Sequence, residues 1–273
     1  MATVCDIELS PSGPSRWNKA TDGVINGLRV RSVYGMKCKT GNRVGIWLLI
    51  LGVSTAAGAK EESALSFGNG SCGRLQGGVA LPCRGTNFEA FSRTACVLGR
   101  NHLHPLVRDT VVDAFQELAE TPFQRVWQYG ETGKAAGGRL WPHKTHQNGL
   151  AADFFMPVVN ERGEPARVPI SVWNKFGYSL EFGKTGTLDT LRIDWSALGA
   201  HLLALEAAGR KHRVTIERII ITPDFHDALF ANVPAVRRMA PLFMKREAWV
   251  RHDEHYHVDF SIPASLRRPL SCH

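Results

Sequence analysis

Five of the 11 histidines fall in two short windows, residues 143–146 and 252–257. Such clustering is what a metal site requires, because a neutral imidazole is a good ligand and its second ring nitrogen can be fixed by an outer partner. The first window continues as His143-Lys144-Thr145-His146-Gln147-Asn148-Gly149-Leu150-Ala151-Ala152-Asp153. His146 is expected in a loop, Gly149 lets the chain turn, and Asp153 sits on the strand that follows, so the two side chains can converge on one ion. The second window reads Arg251-His252-Asp253-Glu254-His255-Tyr256-His257-Val258-Asp259. On a strand, residues two apart share a face, which puts His255, His257 and Asp259 on one side and Tyr256 and Val258 on the other. Two imidazoles and one carboxylate make a tetrahedral zinc site with the fourth position open, the arrangement of a hydrolytic centre. His146, Asp153 and His257 fit that set as ligands, and His255 on the same face is then placed to act as a base or to stabilise an oxyanion. A lone strand histidine is more often a satisfied core residue; two clusters reverse that balance.

Positioning these residues needs a rigid frame. Pro105 stands at a first helical position, and Leu106, Val107, Val111, Phe115 and Leu118 recur at helical spacing up to Glu120. Residues 123–130 and 149–157 read as strands, the second stopped by Pro157. Asp194 is a candidate N-cap for an apolar helix through Leu198, Leu202, Leu205 and Ala208, closed by Gly209. The β-branched run 214–222 reads as a central strand, followed by a helix over 224–230 and a last strand over 255–262. Strands and helices mix without a repeated β-α-β order, so the fold class is α+β: one domain with a mainly antiparallel central sheet flanked by helices and loops.

Residues 45–59 (GIWLLILGVSTAAGA) are apolar, too short to cross a bilayer comfortably, and preceded by Lys37, Lys39 and Arg43. With Ala57-Gly58-Ala59 as a cleavage site they read as a signal peptide. Its start fits Met36, which divides the chain into an upstream extension (1–35), a signal peptide (36–59) and a mature domain that carries the histidine windows (60–273). The expected location is the periplasm, with no stable membrane insertion after cleavage. Cysteine usage agrees with export: the mature chain keeps Cys72, Cys83, Cys96 and Cys272, an even number, with Cys83–Cys96 and Cys72–Cys272 the favoured pairs. Without a C-x-x-C pair, a structural zinc site is disfavoured.

The formal charge of +8 invites a nucleic-acid reading. Residues 1–59, however, carry 7 Lys/Arg against 3 Asp/Glu, which leaves 26 against 22 in residues 60–273. That body is only mildly basic, and no nucleic-acid partner is expected. Gly183-Lys184-Thr185 lacks the earlier glycine of a phosphate loop and reads as a turn. Neither H-E-x-x-H nor a G-x-S-x-G elbow occurs. Trp127, Tyr129, Trp141, Phe154 and Trp249 lie near the histidine windows in sequence. They are candidates either for core packing or for the wall of a cleft.

The H-x6-D element (His146 to Asp153, in THQNGLAADF) followed far downstream by H-x-H (His255-Tyr256-His257) resembles the lysostaphin/D-Ala-D-Ala-peptidase/hedgehog group of zinc metallopeptidases. Within that group, H-x-x-H-Q-x-G-L-x-x-D and H-x-x-H-x-H-V look like the penicillin-insensitive murein endopeptidase family. Phe67-Gly68-Asn69-Gly70, Leu81-Pro82 and the segment Arg218 to Leu229 extend the likeness over most of residues 67–262. The resemblance implies an exported enzyme that cuts D-alanyl–diaminopimelate cross-bridges in peptidoglycan with one catalytic Zn2+. It also implies His146, Asp153 and His257 as zinc ligands and His255 as the catalytic residue. His143 is then a possible second-site ligand, and His252 an outer-shell or substrate contact. Asp259 departs from the basic residue of the family pattern. Two alternatives from the residues remain: a zinc D,D- or L,D-carboxypeptidase of the same group, and a non-catalytic module that binds the cell wall. Oligomeric state is not legible.

Overall fold

The computed structural model describes residues 24–25, 28–29 and 63–272. The expected signal peptide and cleavage site lie outside them. The chain divides into two units, Met1–Thr55 and Ala56–His273. In the first, Val24–Ile25 pairs antiparallel with Leu28–Arg29.

The second unit opens with a hairpin, β1 (Leu65–Asn69) and β2 (Cys72–Gln76), whose turn is held by the Asn69 side chain accepting from the amides of Ser71 and Cys72. A central sheet follows from β3 (Phe88–Ala90), β4 (Trp127–Tyr129), β5 (Ala151–Phe155), β6 (Thr215–Ile220) and β7 (His255–Ser261). Their spatial order is β6-β7-β5-β4-β3, antiparallel except for the parallel β3/β4 pair. The three longest α-helices are α1 (Pro105–Ala119), α2 (Trp195–His212) and α3 (His226–Asn232). The domain is α+β, as the order of patterns in the sequence suggests.

Helix α1 starts at its proline and buries Val107, Val111, Phe115 and Leu118, the residues with helical spacing. Helix α2 is capped by Asp194, whose side chain accepts from the Ala197 amide. It runs past Gly209 to His212 and ends with Arg213 in the left-handed region at φ 57°. Gly209 therefore serves packing rather than termination: a Cβ there would stand 2.6 Å from the Val214 carbonyl oxygen.

Two strand expectations need correction. The 123–130 strand contracts to Trp127–Tyr129, because the residues after Pro122 form turn and coil hydrogen-bonded locally through Thr121. The 214–222 strand is β6, at the edge of the sheet rather than its centre. β-branched residues report a buried face, here Ile216 and Ile219, and say nothing about how many neighbours a strand has. Both disulfides form: Cys72–Cys272 with Cα atoms 6.0 Å apart and Cys83–Cys96 with Cα atoms 5.8 Å apart. No helix among the described residues is long and apolar enough to cross a membrane.

Candidate metal centre and cleft

Strand register joins the two histidine windows. In the β5/β7 ladder His257 stands opposite Asp153, and His255 opposite Phe155. His146 reaches the same point through a tight turn. Gly149 takes φ 73°, and a Cβ there would lie 2.5 Å from the Leu75 side chain, so only glycine lets the loop close onto the hairpin. His146 itself has φ 67° and His252 φ 55°, a left-handed conformation uncommon for residues with a Cβ.

Asp153 is the hub. Its Oδ1 lies 3.2 Å from His146 Nε2 and 2.9 Å from His257 Nδ1. Its Oδ2 accepts from the Tyr178 hydroxyl at 3.2 Å, with His255 Nε2 3.9 Å away. Burial by itself would raise the Asp153 pKa, but the imidazoles of His146, His255 and His257 outweigh it and hold the carboxyl well below its ordinary range. Donor atoms of His143, His146 and Asp153 all lie within 4.8 Å of one another and form a group able to hold a metal ion. His257, the third ligand expected from the sequence, lies outside that group; it stands opposite Asp153 on the ladder and pairs with its Oδ1, while His143 joins the group from the loop.

Outer partners surround these groups. His257 Nε2 faces Asp259 Oδ1 at 2.9 Å, and Asp259 Oδ2 accepts from Arg218 Nε at 2.8 Å. Burial opposes charge on His257, yet Asp259 and Asp153 push it up to about 10. For Asp259, burial is outweighed by His257 and Arg218, which bring it down to about 2. His255 Nδ1 pairs with Glu254 Oε1 at 2.8 Å. Burial would lower the His255 pKa, but Glu254 and Asp153 raise it. Desolvation pulls His143 to about 3, and desolvation together with the nearby His255 pulls His252 to about 4. The His252 ring lies 4.6 Å from that of His255, centroid to centroid, so both windows contribute every histidine to one place.

Tyr178 and Glu131 had no sequence signal. Tyr178 sits on an irregular segment, stacks edge-on against His255 with centroids 4.8 Å apart, and donates to Asp153. Gly130 makes room for it, since a Cβ there would be 2.7 Å from the Tyr178 oxygen. Glu131 is buried and paired with Arg100 Nε at 2.9 Å; burial raises its pKa against that guanidinium. The site opens into a cleft of about 620 Å3. Of the five aromatic candidates, Trp127, Tyr129 and Phe154 are core, whereas Trp141 and Trp249 line the cleft and are 75% and 62% exposed.

A search of curated proteins finds no match to the chain. A family model described as penicillin-insensitive murein endopeptidase matches residues 66–270, a span that contains the hairpin from Ser66 onward, the whole central sheet and every residue around Asp153. The chain therefore belongs to the penicillin-insensitive murein endopeptidase family, peptidases that act on peptidoglycan.

Proposed function

We propose that the chain is an exported zinc metallo-endopeptidase that hydrolyses D-alanyl–diaminopimelate cross-bridges of peptidoglycan in the periplasm. The observation that carries this reading is the convergence of His146, His257 and His255 on the buried carboxylate of Asp153. The donor set fits zinc: imidazole nitrogens and one carboxylate, at the floor of an open cleft. When bound, zinc supplies Lewis acidity, polarising the scissile carbonyl and lowering the pKa of an attacking water to about 7.

His146, Asp153 and His257 are assigned as ligands. His255 is the acid-base group, because Glu254 engages its Nδ1 and leaves Nε2 turned to the cleft. His255 Nε2 takes the proton of the water as its oxygen attacks the carbonyl carbon. It returns that proton to the amine nitrogen as the C–N bond breaks. Tyr178, hydrogen-bonded to Asp153, fixes the carboxylate's second oxygen. The reading also places a signal peptide at 36–59 and a mature start at Lys60, which N-terminal sequencing of the periplasmic protein decides.

The deciding test digests cross-linked muropeptides and reads the products by mass, with and without chelator, alongside metal content. His255→Ala should keep zinc and lose about 100- to 1000-fold in rate, the usual cost of one acid-base or oxyanion group. Asp153→Ala and His257→Ala should lose the metal itself. Zinc retained in His257→Ala but lost in His143→Ala would reassign the third ligand to His143. Near-normal cleavage by His255→Ala would refute its role, and wild-type chain inert on every peptidoglycan would favour the cell-wall binding module.

A further inference from the structure

Eight large apolar side chains are exposed among the described residues, and five of them, Leu98, Trp141, Val172, Phe176 and Trp249, line the one cleft that ends at Asp153. Exposed apolar surface gathered in this way marks a binding face rather than chance. The five come from four separate segments, so the fold assembles the rim rather than inheriting it from one greasy stretch.

We infer that this rim is a glycan-binding subsite, in which the indoles of Trp141 and Trp249 stack on pyranose faces of a peptidoglycan strand while its stem peptide runs inward to the site. The inference rests on the proposed peptidase reading. Three observations commit it to a sugar chain. The rim is continuous with the catalytic floor, so its occupant is part of the same molecule as the bond at Asp153. Its two largest members, Trp141 and Trp249, are flat and carry a polar N–H edge, which suits a ring with an apolar C–H face and a hydroxylated rim. The charges complete the match: the acidic residues of the cleft, Asp153 and Glu131, are buried at its floor, while Lys144 and Lys175 stand at the mouth. Lys144 Nζ lies 4.6 Å from the centroid of the Trp249 ring. A neutral sugar backbone bearing anionic stem peptides meets both the apolar and the cationic parts. A lipid surface meets them poorly, because these side chains line a concavity instead of a protruding face.

The test uses the zinc-loaded enzyme and peptide-free glycan strands of alternating N-acetylglucosamine and N-acetylmuramic acid, read by tryptophan fluorescence. Saturable binding is expected, weakened about tenfold in Trp141→Ala and in Trp249→Ala, as expected for one lost stacking contact. Trp173→Ala is the control: this residue is 93% exposed but does not line the cleft, and binding should not change. Wild-type enzyme should also cleave disaccharide-linked peptide dimers at least about tenfold better in kcat/KM than sugar-free dimers. Absence of glycan binding, binding as tight as wild type in the two cleft variants, equal measurable cleavage of the two dimers, or a response to phosphatidylglycerol vesicles instead of glycan would each overturn the inference. Glycan binding with neither dimer cleaved would uphold the subsite while sinking the peptidase reading.

Discussion

Both ring nitrogens of His257 face carboxylates, Asp153 on one side and Asp259 on the other. A histidine that offers Nδ1 to a metal must keep its proton on Nε2, and an acceptor at Nε2 fixes both the tautomer and the ring's angle. Asp259 is such an acceptor, and Arg218 holds it from behind. The sequence shows Asp259 two residues beyond His257 on one strand face, but not Arg218, which arrives from β6 through the ladder that sets it opposite Asp259. Asp259→Asn keeps the shape and removes the charge. Its zinc affinity, measured by competition with a chromogenic chelator, should fall about 10- to 100-fold, the usual cost of losing an outer-shell partner. Unchanged affinity would mean that the strand alone holds the ring.

Behind β7 the sheet packs on α2, and there the strand's other face does structural work. Tyr256, between the two site histidines, points away from the cleft and hydrogen-bonds to His201 Nδ1. His201 lies on the apolar stripe with Leu198, Leu202 and Leu205, stacked 5.1 Å from Phe115 and 5.1 Å from Trp127. Desolvation lowers its pKa from 6.5 to about 3, so the folded protein keeps it neutral. The unfolded chain takes up a proton below pH 6.5 and the native state does not. Stability from this group is therefore complete above that pH and is lost progressively as pH falls toward 3, by at most about 1.4 kcal/mol per unit. Urea unfolding between pH 7 and 4 should show this slope in wild type and a shallower one in His201→Gln; parallel slopes would assign the acid sensitivity elsewhere.

The same contrast explains what the sequence revealed. Helices α1 and α2 were legible because Val107 to Leu118 and Leu198 to Ala208 repeat a buried face; β7 was marked by the alternating His255-Tyr256-His257, whereas β5 keeps only Ala151–Phe155 of the expected 149–157 and ends two residues before Pro157. Tyr178 was not, since it reaches Asp153 from an aperiodic segment through a close approach that Gly130 permits. Trp127 and Trp141 looked alike in the sequence and part company in space: the first is on a strand with a face to bury, the second in a loop at the cleft mouth.

Across the whole second unit, the C-terminal segment returns to the opening hairpin. Arg267–Arg268 lies parallel to β1, and Cys272 is bonded to Cys72 across a sequence separation of 200. The hairpin tied in this way supports the metal loop: Ser66 donates to the Asn148 carbonyl at 2.9 Å, the Gly70 carbonyl accepts from Gln147, and Leu75 fills the space that Gly149 leaves. The second bridge, Cys83–Cys96, spans 13 residues beside the cleft wall at Ser92 and Leu98. If constraint of the unfolded chain governs, the longer loop contributes more, because closure entropy grows with the logarithm of loop length. Replacing Cys72 and Cys272 together by alanine should then cost about 2–5 kcal/mol in denaturant unfolding. These two cysteines are not part of the buried core, so little packing is lost with them, whereas Cys96 is buried and its removal adds a cavity to the loss of its bridge. Because the hairpin supports His146, the double variant should also release zinc faster to a chelator at temperatures where it is still folded. A cost below about 1 kcal/mol with unchanged zinc release would show that the β1 ladder holds the C-terminal segment unaided.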